Sequence, residues 1–375
     1  MLLNKPDSPV LLFEHATGND LVVAEARLNA EATLNSLSLE MIGILSAALT
    51  RWAVRDELVA LLITSTGERA FCAGGDIQAL YYAMLENHQA GEVVDEYPYQ
   101  FFENEYRLNY QLHTYPKPVV AIGHGVVMGG GLGIFSAADY RVVTERSRIA
   151  MPEITIGLFP DAGATWLLKN MALPFATFLG LTGSHMNSGD ALLVGLGTHH
   201  VAGADRHKIV EKMVSVEWRG EFDHDRMVLD ELLKNLTPME IPASRLDVVP
   251  EALTVTGSLE EVSARIEALK GKSDWIDHGI TAMQRGCPTS IGIVVEQLQR
   301  ARSMSLAETF RLEMTVATHC SENGDFLEGV RALIIEKDNQ PHWQFDELTD
   351  LPLGYVEGHF VEPWPRNPLH DLEEN

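Results

Sequence analysis

Cysteine is scarce in this chain: among 375 residues there are three, Cys72, Cys287 and Cys320. None forms a CxxC pair, and an odd count in so long a chain excludes a disulfide-stapled scaffold and fits a reducing compartment. Basic residues are also few, with 28 Lys and Arg against 53 Asp and Glu and a formal charge of −25. That balance excludes a nonspecific grip on nucleic acid or an anionic membrane, although a few local cations can still hold a phosphorylated ligand. No apolar run approaches the ~18 residues that a membrane span requires. The stretch Met1 to Asp7 lacks the charged and then apolar regions of a secretion signal, and the Arg-rich run of an organelle transit peptide. The expectation is a soluble, cytoplasmic protein with no membrane and no nucleic-acid partner.

Several chemical motifs are missing too. His199-His200 has no partner at HxxxH or HExxH spacing, so no metal site is expected. No GxSxG elbow occurs, which removes support for a serine hydrolase of the α/β class. A dinucleotide fingerprint beginning at Gly129 fails at its sixth position, Ile134. The phosphate-loop ending suggested by Gly271-Lys272-Ser273 fails because Ile266 stands where the first glycine is needed.

What remains is informative. With 46% hydrophobic residues, the chain can bury two domains or one large one. The first two hundred residues alternate strand and helix patterns, which reads as α/β. Leu21 to Ala24 reads as a strand and Ser38 to Trp52 as an amphipathic helix. Leu58 to Ile63 is a continuous apolar run of strand length, expected to be buried on both faces, and Pro118 to Ile122 repeats it. Composition shifts after about Gly220, and Glu221 to Lys270 is charged and helix-patterned with a looser stretch from Pro238 to Pro250. A helix is expected over Ser290 to Ser303, a capping box at Ser305 and Glu308, and a helical continuation from Asp325 to Leu333. The expected division is 1–205 as the α/β core and 206–375 as a mainly helical region, ending in a proline-bearing tail from Pro352.

Two glycine loops follow buried strands and lead into helices: Phe71 to Asp76, and Gly125 to Gly133 with its triplet Gly129-Gly130-Gly131. Each can present an unblocked N–H toward one oxygen, and two such donors make an oxyanion hole. Downstream lie Glu153, after Pro152, and Asp161, after Pro160, eight positions apart. Glu153 interrupts an apolar stretch, so it is either a solvated turn residue or an acid held in a dry pocket. Asp161 reads equally well as a helix N-cap. The glycine loops beside them favour acyl chemistry with proton or nucleophile catalysis. His124 and Cys72 read as packed structural residues.

Phe71-Cys-Ala-Gly-Gly-Asp76, the glycine triplet and Met151-Pro152-Glu153 together resemble the crotonase (enoyl-CoA hydratase/isomerase) superfamily, and the Leu28 to Leu37 entry agrees. The resemblance implies a spiral of ββα units followed by C-terminal helices, and a bent acyl-CoA ligand. It assigns the oxyanion hole to the Gly75 and Gly130 N–H groups, puts Ala73 against the adenine and adds Asp76 to the substrate-binding set. Hydratases of the superfamily carry a second glutamate where this chain has Gly133. The Glu153/Asp161 pair in Gly-Leu-Phe-Pro-Asp161 is similar instead to the 3-hydroxyisobutyryl-CoA hydrolase family, as are Cys287 to Ser290 and Asp325 to Trp343. Glu105 matches a substrate-lining glutamate of that family, while Gly163-Ala164-Thr165 departs from its usual consecutive glycines.

The resemblance thus implies hydrolysis of a short 3-hydroxyacyl-CoA, as in valine breakdown, with Glu153 and Asp161 catalytic. It implies no metal or redox cofactor, coenzyme A being part of the substrate, and is compatible with a homo-oligomer. Arg69, Lys117 and Arg141 are candidate cations for the CoA phosphates. The alternatives are an enoyl-CoA hydratase or isomerase and, in another class, a noncatalytic acyl-CoA binder.

Overall fold

The computed structural model describes residues 1–236 and 240–373. Nine strands form within them: β1 (Val10–Ala16), β2 (Val22–Leu28), β3 (Leu58–Ser65), β4 (Ala70–Cys72), β5 (Val119–Gly123), β6 (Val126–Met128), β7 (Tyr140–Val143), β8 (Arg148–Ala150) and β9 (His199–His200). One sheet has the order β1-β2-β3-β5-β7-β9 and a second has β4-β6-β8. β1 and β2 are an antiparallel hairpin, and every later pair of the first sheet is parallel.

Parallel strands need cover on both faces, which is why β3 reads as an unbroken apolar run. Leu58 to Ile63 are all buried, with Leu61, Leu62 and Ile63 opposite Val119, Val120 and Ala121 of β5. One side of this sheet packs Ala60, Leu62, Val120, Ile122 and Val142 with Ile209, Met213, Trp218, Leu229 and Leu233. Those last five lie on or beside the helices Lys208–Ser215 and Phe222–Lys234. Each Leu- or Ile-sized side chain so buried contributes about 1.5–3 kcal/mol. The expected helix at Ser38 spans Leu39–Ala53, with the Ser38 side chain accepting from Met41 N–H and a buried stripe of Met41, Leu45, Leu49 and Trp52.

The chain forms two compact units, each discontinuous in sequence. One comprises Met1–Gly75, Leu108–Ile149 and Met186–Ser244; the other comprises Asp76–Arg107, Ala150–His185 and Arg245–Asn375. Each unit draws segments from both sides of the division expected at residue 205. Among the described residues no strand follows His200.

The second unit is built of helices, among them Ile77–Ala90, Leu173–Thr182, Asp274–Arg285, Pro288–Arg300 and Leu306–Glu322. The helix expected from Ser290 starts two residues earlier, since Pro288 fits the first helical turn, where no N–H is required. Its last turn, Ala301–Ser303, is 3-10. Ser305 and Glu308 form the expected reciprocal capping box. From Asp325 the chain is helical to Val330 and continues as a π-turn to Ile335. Pro238, the start of the looser stretch, lies outside the described residues; Leu246–Val248 forms a 3-10 turn. Among the described residues no helix is long and apolar enough to cross a membrane.

Candidate active site

In the first unit, β4 and β6 are parallel neighbours with Cys72 opposite Val127, so both glycine loops leave the same end of one small sheet. Backbone donors collect at such strand ends in α/β folds. The loops touch: a Cβ placed on Gly74 would lie 3.7 Å from the Met128 carbonyl oxygen and 4.0 Å from Gly129 Cα. The chain enters the helix Gly130–Ser136 through Gly129 at φ 48°, ψ −131°, a conformation reserved for glycine. Two residues on, Gly131 packs directly on Cys72, where a Cβ would fall 2.4 Å from the Cys72 carbonyl oxygen. Cys72 is therefore a spacer between the loops, in keeping with the structural role expected of it.

The Leu37 N–H donates to the Gly74 carbonyl at 2.8 Å, and the Ala73 N–H to Leu34 at 3.1 Å, which pins the first loop. Among the described residues neither the Gly75 nor the Gly130 N–H donates to another backbone group. For Gly130 this follows from its place in the first helical turn, whose N–H groups have no intrahelical acceptor. Ala73 is half-buried beside them.

In the second unit, four carboxyl groups are buried together: Glu105, Glu153, Asp161 and Glu313. Glu153 opens a 3-10 turn (Glu153–Ile156), held where Thr155 N–H donates to Pro152 at 2.9 Å and Cys287 N–H donates to Ile154 at 2.9 Å. Among the described residues its Oε2 has no hydrogen-bond partner. Burial first, and then the neighbouring Asp161, push its pKa well above the usual carboxylate range. Asp161 accepts a 2.7 Å hydrogen bond from the Tyr106 hydroxyl. Burial raises it to about 6, against the pull of that bond. The N-cap role considered for Asp161 is not made by its side chain; the following helix, Ala164–Lys169, has Gly163 at its N-cap.

Glu105 lies on the helix Tyr97–His113, one position before Tyr106, and among the described residues its Oε1 is unpartnered. Burial, and then Asp161 and Glu313, raise its pKa well above the ordinary value. The surroundings that dry this cluster include the ring pairs Phe101–Phe102, Phe102–Phe326 and Tyr106–Phe310. Asp76, assigned to the substrate by resemblance, caps the helix Ile77–Ala90 by accepting from Ala79 N–H at 3.1 Å.

Three buried groups escaped the sequence reading. Glu313 accepts from Gly163 N–H at 2.7 Å and from Thr165 N–H at 2.9 Å. Gln297 donates to the Pro160 carbonyl at 2.6 Å and to the Thr165 hydroxyl at 2.5 Å. Tyr106 is the third. A usable signal existed for Glu313: it breaks the apolar stripe Ala307, Phe310, Met314, Ala317 of its own helix. Two of the candidate phosphate cations are corrected. Lys117 is spent on the carbonyls of Arg55 and Leu58 (2.6 and 2.7 Å), and Arg141 on those of Ala138, Gly195 and Leu196. Arg69 is exposed. His124 binds the Gly67 carbonyl at 3.0 Å, the packed role expected of it.

Comparison with known proteins gives the class to which the chain belongs. The model of the enoyl-CoA hydratase/isomerase family matches residues 23–360, and the chain belongs to that family. It is 32% identical over 360 residues to the mitochondrial 3-hydroxyisobutyryl-CoA hydrolase of Danio rerio, covering 95% of this chain and 90% of the relative. With its Gallus gallus counterpart it shares 30% over 358 residues, 91% of this chain and 87% of the relative. Among solved structures, the carnitinyl-CoA dehydratase of Mycobacterium thermoresistibile superposes with a TM-score of 0.84 at 27% identity, covering 98% of this chain and all of that one. The fold is the crotonase fold expected from the glycine loops. The cytoplasmic location expected from the N-terminus is overturned by these relatives, whose names give them as mitochondrial enzymes.

Proposed function

We propose that this protein hydrolyses a short 3-hydroxyacyl-CoA thioester, 3-hydroxyisobutyryl-CoA, to the hydroxy acid and free coenzyme A, a step of valine breakdown. The Gly75 and Gly130 N–H groups hold the thioester oxygen as it gains negative charge, worth about 3–4 kcal/mol per donor. Glu153, made more basic by its dry setting, takes a proton from water as that water attacks the carbonyl carbon. The carbon–sulfur bond then breaks, and the proton passes by way of Asp161 to the leaving thiolate. Glu105 meets the 3-hydroxyl as a neutral acid, whose carbonyl oxygen accepts from it. Ala73 is assigned to the adenine and Asp76 to the substrate-binding set, and Arg69 remains the candidate for a phosphate contact.

The observation that carries this reading is the pair of buried acids Glu153 and Asp161, with Asp161 poised near pH 6, in a chain similar to hydrolases over nearly its whole length. The second reading, addition or removal of water across a double bond, is favoured by the likeness to the carnitinyl-CoA dehydratase. Gly133 weighs against it, standing where hydratases carry their second glutamate. The test offers purified protein two substrates: free-thiol release from 3-hydroxyisobutyryl-CoA, and loss of enoyl absorbance from crotonyl-CoA. Thiol release alone is expected. Loss of enoyl absorbance without thiol release would replace the proposal with a hydratase, and binding without either would leave an acyl-CoA binder. Oxygen-18 appearing in Glu153 after a single turnover in labelled water would replace the general-base route with a covalent anhydride.

A further inference from the structure

Asp161 sits at the start of a loop that should not hold its shape unaided. Ala162 and Gly163 follow at φ 56° and φ 89°, two successive left-handed residues, and only the second is a glycine. An alanine in that region is strained and persists only where its surroundings over-determine the backbone. The Ala164 N–H closes the turn on the Asp161 carbonyl at 2.9 Å, and four further bonds, all involving side chains remote in sequence, hold it from outside. Glu313 takes both the Gly163 and the Thr165 N–H, one on each carboxylate oxygen. Gln297 grips the loop from the other side, at the Pro160 carbonyl just before Asp161 and at the Thr165 hydroxyl. Glu313, Gln297 and Thr165 are each fully buried. Beyond the loop, Tyr106 fixes the carboxylate itself at 2.7 Å.

We infer that Glu313 and Gln297 form a clamp whose task is to position Asp161 for catalysis, so that Glu313 is a positioning residue of the reaction that acts through a loop residue, Gly163, 150 positions away in sequence. The clamp rests on the hydrolase reading above and adds to it. It also gives a purpose to Thr165, whose side chain supplies an acceptor that a glycine lacks. A carboxyl group suits position 313 because two converging N–H donors need two acceptor oxygens, and a carboxyl keeps an acceptor lone pair on each oxygen whether or not it holds a proton. An amide of the same shape turns its NH2 group against one of them. Burying a carboxyl there has a cost, since burial raises Glu313 to about 8. A residue kept only for packing would not demand that.

The test compares wild type, Glu313→Gln and Thr165→Val on 3-hydroxyisobutyryl-CoA by thiol release, with thermal melting as the check on folding. A displacement of roughly 1 Å remote from the chemistry costs on the order of 100-fold in rate. Glu313→Gln is therefore expected to lower kcat by about 10- to 100-fold while KM stays within about threefold. Thr165→Val, which keeps the charge and the shape but loses the hydroxyl, is expected to lower kcat by several-fold, again at constant KM. It is the deciding variant if Glu313→Gln does not fold. Folded variants with wild-type kcat, or with a raised KM and an unchanged kcat, would overturn the clamp while leaving the hydrolase reading intact. A wild type that releases no thiol would remove that reading, and the clamp with it.

Discussion

Gly131 offers a sharp perturbation of the donor loops. An added methyl group would stand 2.4 Å from the Cys72 carbonyl oxygen, 2.6 Å from Cys72 Cβ and 2.8 Å from its sulfur. Carbon atoms pack at about 3.5–4.0 Å, so the two loops must part by roughly 1 Å to admit it. The backbone oxygen cannot swing aside as a side chain would. Overpacking of this kind costs about 1–3 kcal/mol of stability. Catalysis should suffer more, because the displaced segments carry the Gly75 and Gly130 N–H groups; losing one oxyanion donor costs about 10²–10³ in kcat. Gly131→Ala is accordingly expected to fold with a Tm lowered by several degrees, to bind acyl-CoA, and to release thiol at about one hundredth of the wild-type kcat. Gly43→Ala is the matched control. Gly43 lies exposed in the helix Leu39–Ala53 with nothing within 4 Å of a built Cβ, so the change should add about 0.5–1 kcal/mol and leave kcat alone. A Gly131→Ala protein with wild-type kcat would refute the reasoning, as would an equal loss in Gly43→Ala.

Two further outcomes follow from the buried acids. Tyr106→Phe removes the hydrogen bond that lowers Asp161, so the acidic limb set by that group should move upward from about pH 6 in the kcat/KM profile; an unmoved or lowered limb would contradict its role. Stability should also depend on pH in an unusual sense. Asp161 and Glu313 hold protons in the folded protein up to about 6 and about 8, whereas an unfolded chain releases them near 4. The folded state thus binds more protons across that window, and stability falls as pH rises through it. Buried His113, His124, His200 and His359, which burial holds below the ordinary imidazole range, oppose this below about pH 7, and Glu14 and Glu25, held low by their bonds to Arg55 and to His15, Thr64 and Arg27, oppose it only in still more acidic solution. Melting scans should therefore give a higher Tm at about pH 7 than at about pH 8.5, and the reverse order would show that the cluster does not retain its protons.

How legible this was from sequence depends on distance along the chain. β3 announced itself because a strand buried on both faces must be apolar at every position. Ser305 and Glu308 were readable because the partners of a capping box stand three positions apart. The glycine loops were readable as short motifs, and Gly131 meets Cys72 because β4 and β6 are paired. Glu105 and Glu153 could be named, but their dryness is a tertiary property. Tyr106, Gln297 and Glu313 act across 55, 137 and 150 residues, and no local pattern announces such partners. Lys117 and Arg141 misled for the same reason: a cation near a loop in sequence can still be spent on carbonyls brought to it by the fold.

The whole scheme turns on Glu153 as the group that activates water. Glu153→Gln preserves the shape and burial of the side chain and removes its basicity, so the measurement is single-turnover thiol release from 3-hydroxyisobutyryl-CoA beside the binding constant of the same ligand. A rate lowered by about 10²- to 10⁴-fold with affinity within a few-fold of wild type is the predicted result. A variant that turns over within tenfold of wild type would contradict it.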